Sequence, residues 1–179
     1  MELEHAKIKK LNLGSGLKVL KGYVNVDLTK KYGAEIVYDL EKFPYPFKNN
    51  EFDEILMDNV LEHLENTVKV MEELWRISKN GAKITIFVPL SPTYWGFLDP
   101  THRQFFTFNT FDYFTKEHVL NYYSKARFKI VYRRIRFHPV LKIFEPLFNI
   151  HERVQKFYSI FLAGIIPPFM LKIILEVEK

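Results

Sequence analysis

The sequence predicts an α/β protein built on an open, mostly parallel sheet. Short β-branched and apolar runs alternate with turn signals and with one strongly periodic helical stretch. Several of those runs stop at a glycine, an acid or a proline, as strands do where they reach a ligand-binding edge. Apolar residues make up 47% of the chain and aromatic residues 16%, enough for a packed core and too much for a disordered chain.

The elements follow in order. Ile8 to Leu13 is an apolar run that ends at Gly14, a strand feeding a tight turn. Tyr23 to Asp27 is a second strand and Ala34 to Asp39 a third, each ending in an acid. The stretch from Phe43 to Asn50 carries Pro44 and Pro46 and cannot be helix. Phe52 to Asp58 is a fourth strand. Val60, Leu61, Leu64, Val68, Met71, Leu74, Trp75 and Ile77 recur at spacings of three and four, which predicts a helix over 60–79 stopped by Asn80-Gly81. Ala82 to Val88 is a fifth strand, closed by Pro89. Residues 90–107 read as a loop, and Thr115 as the N-cap of a helix over 116–125. Phe128 to Phe137 is a sixth strand, 146–164 a helix, and Phe169 to Val177 a seventh strand.

A length of 179 residues predicts a single domain, 1–179, with a cofactor-binding core over 7–137 and a helical insertion or cover over 138–168. The absence of cysteine removes disulfides, thiolate metal sites and cysteine nucleophiles. The segment Met1–Lys7 is charged and does not read as a signal peptide, so a cytoplasmic protein is expected. Residues 1–123 hold 15 Lys/Arg against 17 Asp/Glu, whereas 124–179 hold 11 against 4. A solvated basic face explains this simply. An anionic acceptor or a membrane surface would use it. Nucleic acid ranks last, because no Arg-rich run with interleaved aromatics is present.

Gly14, Asp27, Asp39, Asp58 and Pro89 all fall at the carboxyl ends of predicted strands, and so on one edge of the sheet. Gly14-x-Gly16 lets the backbone approach a ligand closely, although a structural turn uses glycine as readily. An acid after the second strand can accept hydrogen bonds from both hydroxyls of a ribose, and one after the third can accept from an adenine amino group. Asp27 and Asp39 stand there.

Leu11-Asn12-Leu13-Gly14-Ser15-Gly16 resembles the first motif of class I S-adenosylmethionine-dependent methyltransferases, usually L-D-L-G-C-G. Phe47-Lys48-Asn49-Asn50-Glu51-Phe52-Asp53-Glu54-Ile55 is similar to that family's P-F-x-D-x-S-F-D-x-I stretch, and Asn59-Val60-Leu61-Glu62-His63-Leu64 to its V-L-E-H-L segment. The resemblance covers about residues 8–90 and is nearest to the small type 11-like members. It implies a Rossmann-like seven-stranded sheet with helices on both faces and an antiparallel last strand. It implies S-adenosylmethionine as methyl donor and S-adenosylhomocysteine as product. Carried over, Gly14, Ser15 and Gly16 would flank the methionine part, Asp27 and Leu28 the ribose, Asp39 and Leu40 the adenine, and Asp58 and Asn59 the amino-acid end. Two departures stand out. Asn12 replaces the usual Asp, removing a carboxylate near the cofactor's ammonium, and only ten residues separate Gly16 from Asp27, too few for the usual helix.

Methyl transfer from a sulfonium needs chiefly positioning, with a general base for a hydroxyl acceptor. His63 and His102 are the candidates. His63 reads more readily as a structural histidine, and His102 as a substrate contact with Asp99 as its orienter. Arg103 could bind an acidic acceptor, and Tyr94 and Trp95 could wall the pocket or be ordinary core aromatics. No H-E-x-x-H or two-histidine-one-carboxylate spacing is present, so no metal is expected.

Phe157 to Leu175 is almost wholly apolar, but Pro167-Pro168 argues against a single membrane span. The segment is expected to cover the sheet or a partner copy in a homodimer. The sharper reading is a surface that meets a membrane or a lipid-linked acceptor. Two rivals to methyl transfer remain. A dinucleotide-binding oxidoreductase would need a small residue where Val19 stands and an acid about twenty residues on, much later than Asp27. A non-catalytic scaffold subunit would keep the fold and lose the transfer. The acceptor is expected to be a small or lipid-linked molecule.

Overall fold

A computed structural model describes residues 8–179, and the charged segment Met1–Lys7 lies outside the described residues. Seven strands form one sheet: β1 Lys10–Leu13, β2 Val24–Asp27, β3 Ile36–Val37, β4 Phe52–Asp58, β5 Ser78–Pro89, β6 Arg127–Arg136 and β7 Met170–Glu178. Their order across the sheet is β3-β2-β1-β4-β5-β7-β6. The pairs among β1 to β5 are parallel, and β7 runs antiparallel between β5 and β6. The expected sheet with its reversed last strand is therefore present.

One face of the sheet is the core. Leu11, Leu13, Ile55, Met57, Ile84, Ile86, Val88, Leu171, Ile173 and Leu175 alternate along their strands and are buried. Helix α1, Thr67–Ile77, lays Val70, Met71, Leu74 and Ile77 into this core. Phe106, Phe108, Phe111 and Phe114 join it. The helical cover is thinner than the sequence predicts, because the connections β1–β2, β2–β3 and β3–β4 contain no helix. On the other face Tyr23, Leu56, Thr85, Phe87 and Ile174 border an open concavity of about 490 Å³.

Several boundaries differ from expectation for local reasons. The helix over 60–79 divides into a 3-10 turn, Leu61–His63, and α1, which Asn66 caps by accepting from the Lys69 amide at 2.9 Å. Asn80-Gly81 does not stop that helix. Ser78 already pairs with Phe52, and the register resumes at Glu54–Lys83, so the dipeptide forms an irregularity within β5. No α-helix forms over 116–125. Thr115 closes the 3-10 turn Thr110–Phe114 instead, its hydroxyl donating to the Asp112 carbonyl at 2.8 Å. The loop over 90–107 contains a short helix, α2 Tyr94–Leu98. The helix over 146–164 is divided into α3 Glu145–Phe148 and α4 Glu152–Phe161. Among the described residues no helix is long and apolar enough to cross a membrane.

The short β1–β2 connection is held by an asparagine pair rather than by a helix. Asn12 is only 2% exposed and donates to the Lys18 carbonyl at 2.8 Å and to Asn25 Oδ1 at 2.9 Å. Asn25 Oδ1 also accepts from the Leu20 amide at 2.9 Å, and its Nδ2 donates to the Leu20 carbonyl at 3.0 Å. An amide at position 12 can donate to these carbonyl acceptors; a carboxylate there could only accept. Asn12 is thus explained by the compact loop. Replacing Asn25 with Ala should leave the Leu20 amide without its partner and Asn12 Nδ2 with only the Lys18 carbonyl, and cost about 2 kcal/mol, read from urea unfolding midpoints.

Candidate active site

The site lies beyond the carboxyl ends of β1, β2 and β4. Gly14 has φ +66°, and a Cβ built there would stand 2.3 Å from Cγ2 of Val60. Its missing side chain admits Val60, so the turn after β1 and the turn after β4 close against each other. Gly16 has φ +47° with open space where a Cβ would be. Its amide donates to Asp27 Oδ2 at 2.8 Å, which ties the glycine turn to the end of β2.

A cavity of about 540 Å³ opens there, walled by Gly14, Gly16, Asp27, Leu28, Tyr38, Asp39, Leu40, Glu41, Asn59, Val60, His63, Leu64, Thr101 and Arg103. Its size suits a nucleoside-bearing cofactor, within the roughly 300–1,000 Å³ of such pockets. Asp27 and Asp39 stand on its wall, as expected. Asp27 Oδ1 accepts from the Thr29 amide at 3.1 Å, and Asp39 Oδ1 from the Glu41 amide at 3.0 Å, so each carboxylate is oriented by its own turn. Asn59, with φ +55°, carries the chain sharply away from β4.

Some expected residues fall elsewhere. Ser15 is buried behind the turn, its hydroxyl without a protein partner, and is not on the wall. Asp58 pairs with Lys18 and faces an adjoining concavity of about 420 Å³, which it shares with Asn59, Phe87 and Arg136. Tyr94 is exposed, and Trp95 stacks on His138 at 5.3 Å; neither walls the cavity. Arg103 reaches the wall already paired with Glu65, with Glu41 at 3.8 Å, so nearby acids engage its charge.

The loop after β5 docks on the turn after β4. The amides of Arg103 and Gln104 both donate to the Glu62 carbonyl, at 2.8 and 3.0 Å. This sets the rings of His63 and His102 at 4.9 Å between centroids. Asp99 does not orient His102. Its Oδ1 accepts from the Thr101 hydroxyl at 2.7 Å, and Thr101 Oγ1 lies 3.0 Å from His63 Nδ1. The Thr101 proton is committed to Asp99, so His63 Nδ1 is the donor to Thr101. His102 Nδ1 lies 2.9 Å from the Gly96 carbonyl, which can only accept. In both rings Nδ1 is thereby the donating nitrogen, and Nε2 is the one not used by these contacts.

Glu62 sits beside them. Its side chain is almost fully buried and neither carboxylate oxygen has a hydrogen-bond partner. Ligand atoms of Glu62, His63 and His102 lie within 4.8 Å of one another. Sequence spacing overlooked this group because His102 is distant in the chain. The adjacent Glu62-His63 pair and the aromatic loop were its only visible signals.

The comparisons agree with this geometry. Residues 17–86 match the family model described as a methyltransferase domain. The sheet matches a crystal structure of an S-adenosylmethionine-dependent methyltransferase from Archaeoglobus fulgidus, with a TM-score of 0.66 at 16% identity, covering 94% of this chain and 86% of that one. Residues 17–86 are thus similar to the methyltransferase-domain family, and the sheet has the fold of class I methyltransferases. Two uncharacterised proteins of Methanocaldococcus jannaschii are similar in sequence. One is 36% identical over 104 residues, covering 57% of this chain and 42% of its own length. The other is 35% identical over 78 residues, covering 44% and 37%. The chain thus spans about two fifths of the length of these relatives. The family's cofactor is S-adenosylmethionine, and the open glycine cradle and the two ordered carboxylates of this methyltransferase domain fit it.

Burial pushes the Glu62 carboxyl up to about 7, and the charges of Asp58 and Asp99 add to the rise. The unfolded chain releases the same proton near 4.5. Ionisation therefore penalises the fold increasingly from pH 4.5 upward and fully above pH 7, by an amount on the order of 3 kcal/mol. In EDTA-containing buffer, Glu62→Gln should raise the thermal midpoint at pH 8 by roughly 6–12 °C. The gain should vanish as the pH falls to the unfolded value.

Proposed function

We propose that the chain transfers a methyl group from S-adenosylmethionine to a small or lipid-linked acceptor seated beside His63 and Thr101. The observation that carries this reading is one continuous cavity wall. It runs from the glycine turn and the carboxylates of Asp27 and Asp39 to His63, Thr101 and Arg103. The cofactor supplies a methyl group on a sulfonium centre.

The chain's own residues supply the rest. Asp27 offers carboxylate oxygens to a ribose, and Asp39 offers one to an adenine amino group. Leu28, Leu40 and Val60 give the cavity apolar walls. The loop after β5, docked on the Glu62 carbonyl, orders the acceptor side before binding, and that ordering removes entropy from the reaction step. His63 lines that side, with His102 and the buried Glu62 directly behind it. This pole can lower the cost of removing a proton from an acceptor hydroxyl.

A lipid-linked acceptor is supported by the surface of the C-terminal cover. Val140, Ile143, Ile150 and Ile165 are each more than 70% exposed, with Phe157 and Phe161 also at the surface. Lys142, Arg153 and Lys156 are interleaved with them. Exposed apolar side chains among cations suit an anionic lipid surface.

Titration calorimetry with S-adenosylmethionine, S-adenosylhomocysteine and NADH tests the cofactor. The adenosyl compounds should bind and NADH should not; binding of NADH alone would end this reading. Asp27→Ala should weaken S-adenosylmethionine at least about 100-fold, through loss of hydrogen bonds to a charged group, with the circular dichroism unchanged. Flotation with vesicles containing phosphatidylserine should carry the chain upward. An Ile143→Asp, Phe161→Asp double variant should stay at the bottom.

A further inference from the structure

We propose that Glu62, His63 and His102 bind a divalent transition-metal ion of the zinc class, at the acceptor end of the cavity. The three side chains come from two segments, the 3-10 turn Leu61–His63 and the loop after β5. One ligand atom of each lies within 4.8 Å of the others, so a single ion can be reached by all three after small side-chain adjustments. Two imidazoles with one carboxylate is a ligand set that zinc uses in catalytic sites, leaving further positions for water or substrate.

Two independent observations support a cation at this place. The first is the state of Glu62. A side chain 1% exposed has no partner for its carboxylate oxygens beyond the proximity of its own backbone amide. Buried carboxylates are ordinarily paired, hydrogen-bonded or bound to metal, because an unpartnered charge is costly to desolvate. No lysine or arginine pairs with Glu62 among the described residues. A metal ion meets that need.

The second is the outer layer. Metal-binding histidines donate their other ring N–H to a carbonyl or, directly or through an intermediary, to an acid, which fixes the tautomer and the ring orientation. Both histidines do so here. His102 Nδ1 donates to the Gly96 carbonyl, and His63 Nδ1 donates to Thr101, whose hydroxyl is held by Asp99. With Nδ1 of each ring held by the protein, Nε2 is the nitrogen left for a ligand. A single histidine so fixed would be unexceptional. Two fixed alike, converging with an unpartnered carboxylate, are what a metal centre requires.

The ion's contribution to catalysis rests on the methyl-transfer reading; its binding does not. Bound beside Thr101, it would lower the pKa of an acceptor hydroxyl coordinated to it, so that the proton leaves to water before transfer. The imidazoles would then act as ligands and the metal would carry the acid chemistry. Arg103, engaged by Glu65 and Glu41, does not compete for that place.

Calorimetric titration of the EDTA-treated, dialysed full chain with ZnCl2 tests the site, with the visible d–d absorption of added Co2+ as a second readout. One equivalent of zinc should bind with micromolar or tighter affinity, and Co2+ should give a visible band that zinc displaces. His102→Ala and Glu62→Gln should each weaken zinc at least about 100-fold. Thr101→Val, which removes only the support of His63, should weaken it about 10–100-fold. His118→Ala, away from the cluster, should bind like the wild type. Circular dichroism identifies variants that fail to fold, and the Co2+ band of the wild-type chain remains a test if they do. No stoichiometric zinc, or equal affinity in His102→Ala and the wild type, overturns the proposal. S-adenosylmethionine is titrated separately into the EDTA-treated chain. Cofactor binding without zinc sinks the metal site alone; zinc binding without cofactor sinks the methyl-transfer reading alone.

Discussion

The site depends on one docking contact, the pair of amides from Arg103 and Gln104 that donate to the carbonyl of Glu62. That carbonyl belongs to a 3-10 turn and would otherwise face solvent or go unpaired. By accepting twice it holds the loop after β5 against the turn after β4. His102 is thereby brought to His63, and Thr101, already bonded to Asp99 within its own loop, to the cavity wall. Asp99, Thr101 and His102 are close in sequence, but nothing in the sequence places them against His63.

The contact works because the turn after β4 is itself fixed. Val60 packs into the space that Gly14 leaves, and Asn59 takes a left-handed conformation that sends the chain back over the end of β1. Gly14 is therefore needed for packing as much as for ligand approach. Gly16 is the glycine that opens the cradle. Its amide, held by Asp27, joins the first two strand ends. The two glycines of one short motif do different physical work, and the motif alone could not distinguish them.

The chain economises elsewhere. A full helix between β1 and β2 is replaced by a loop pinned by Asn12 and Asn25. The aromatic segment Phe106 to Phe114 and α1 cover the core face, whereas the opposite face remains half-exposed. The reversed strand β7 closes the core by pairing on both sides, antiparallel to β5 and β6. Its side chains alternate buried and half-exposed along its length. That pattern accounts for the apolar character of 169–177 without a membrane span.

The strands, their order of appearance, the glycine turn and the acids Asp27 and Asp39 were legible in the amino-acid sequence. Each depends on local periodicity, on a turn residue, or on a motif contained within a few residues. The division of the helix at Leu64 and the extension of β5 to Ser78 were not: apolar spacing continues from Leu64 to Val68, and Ser78-Lys79-Asn80-Gly81 carries a helix-stop signal rather than a strand pattern. Nor was the helix over 116–125 correctly indicated; its capping threonine closes a preceding turn through the Asp112 carbonyl. The grouping of Glu62, His63 and His102 was decided only by tertiary structure. It requires the loop after β5 to fold back over the end of β4, and that choice follows from hydrogen bonds to one carbonyl, for which no side-chain pattern codes.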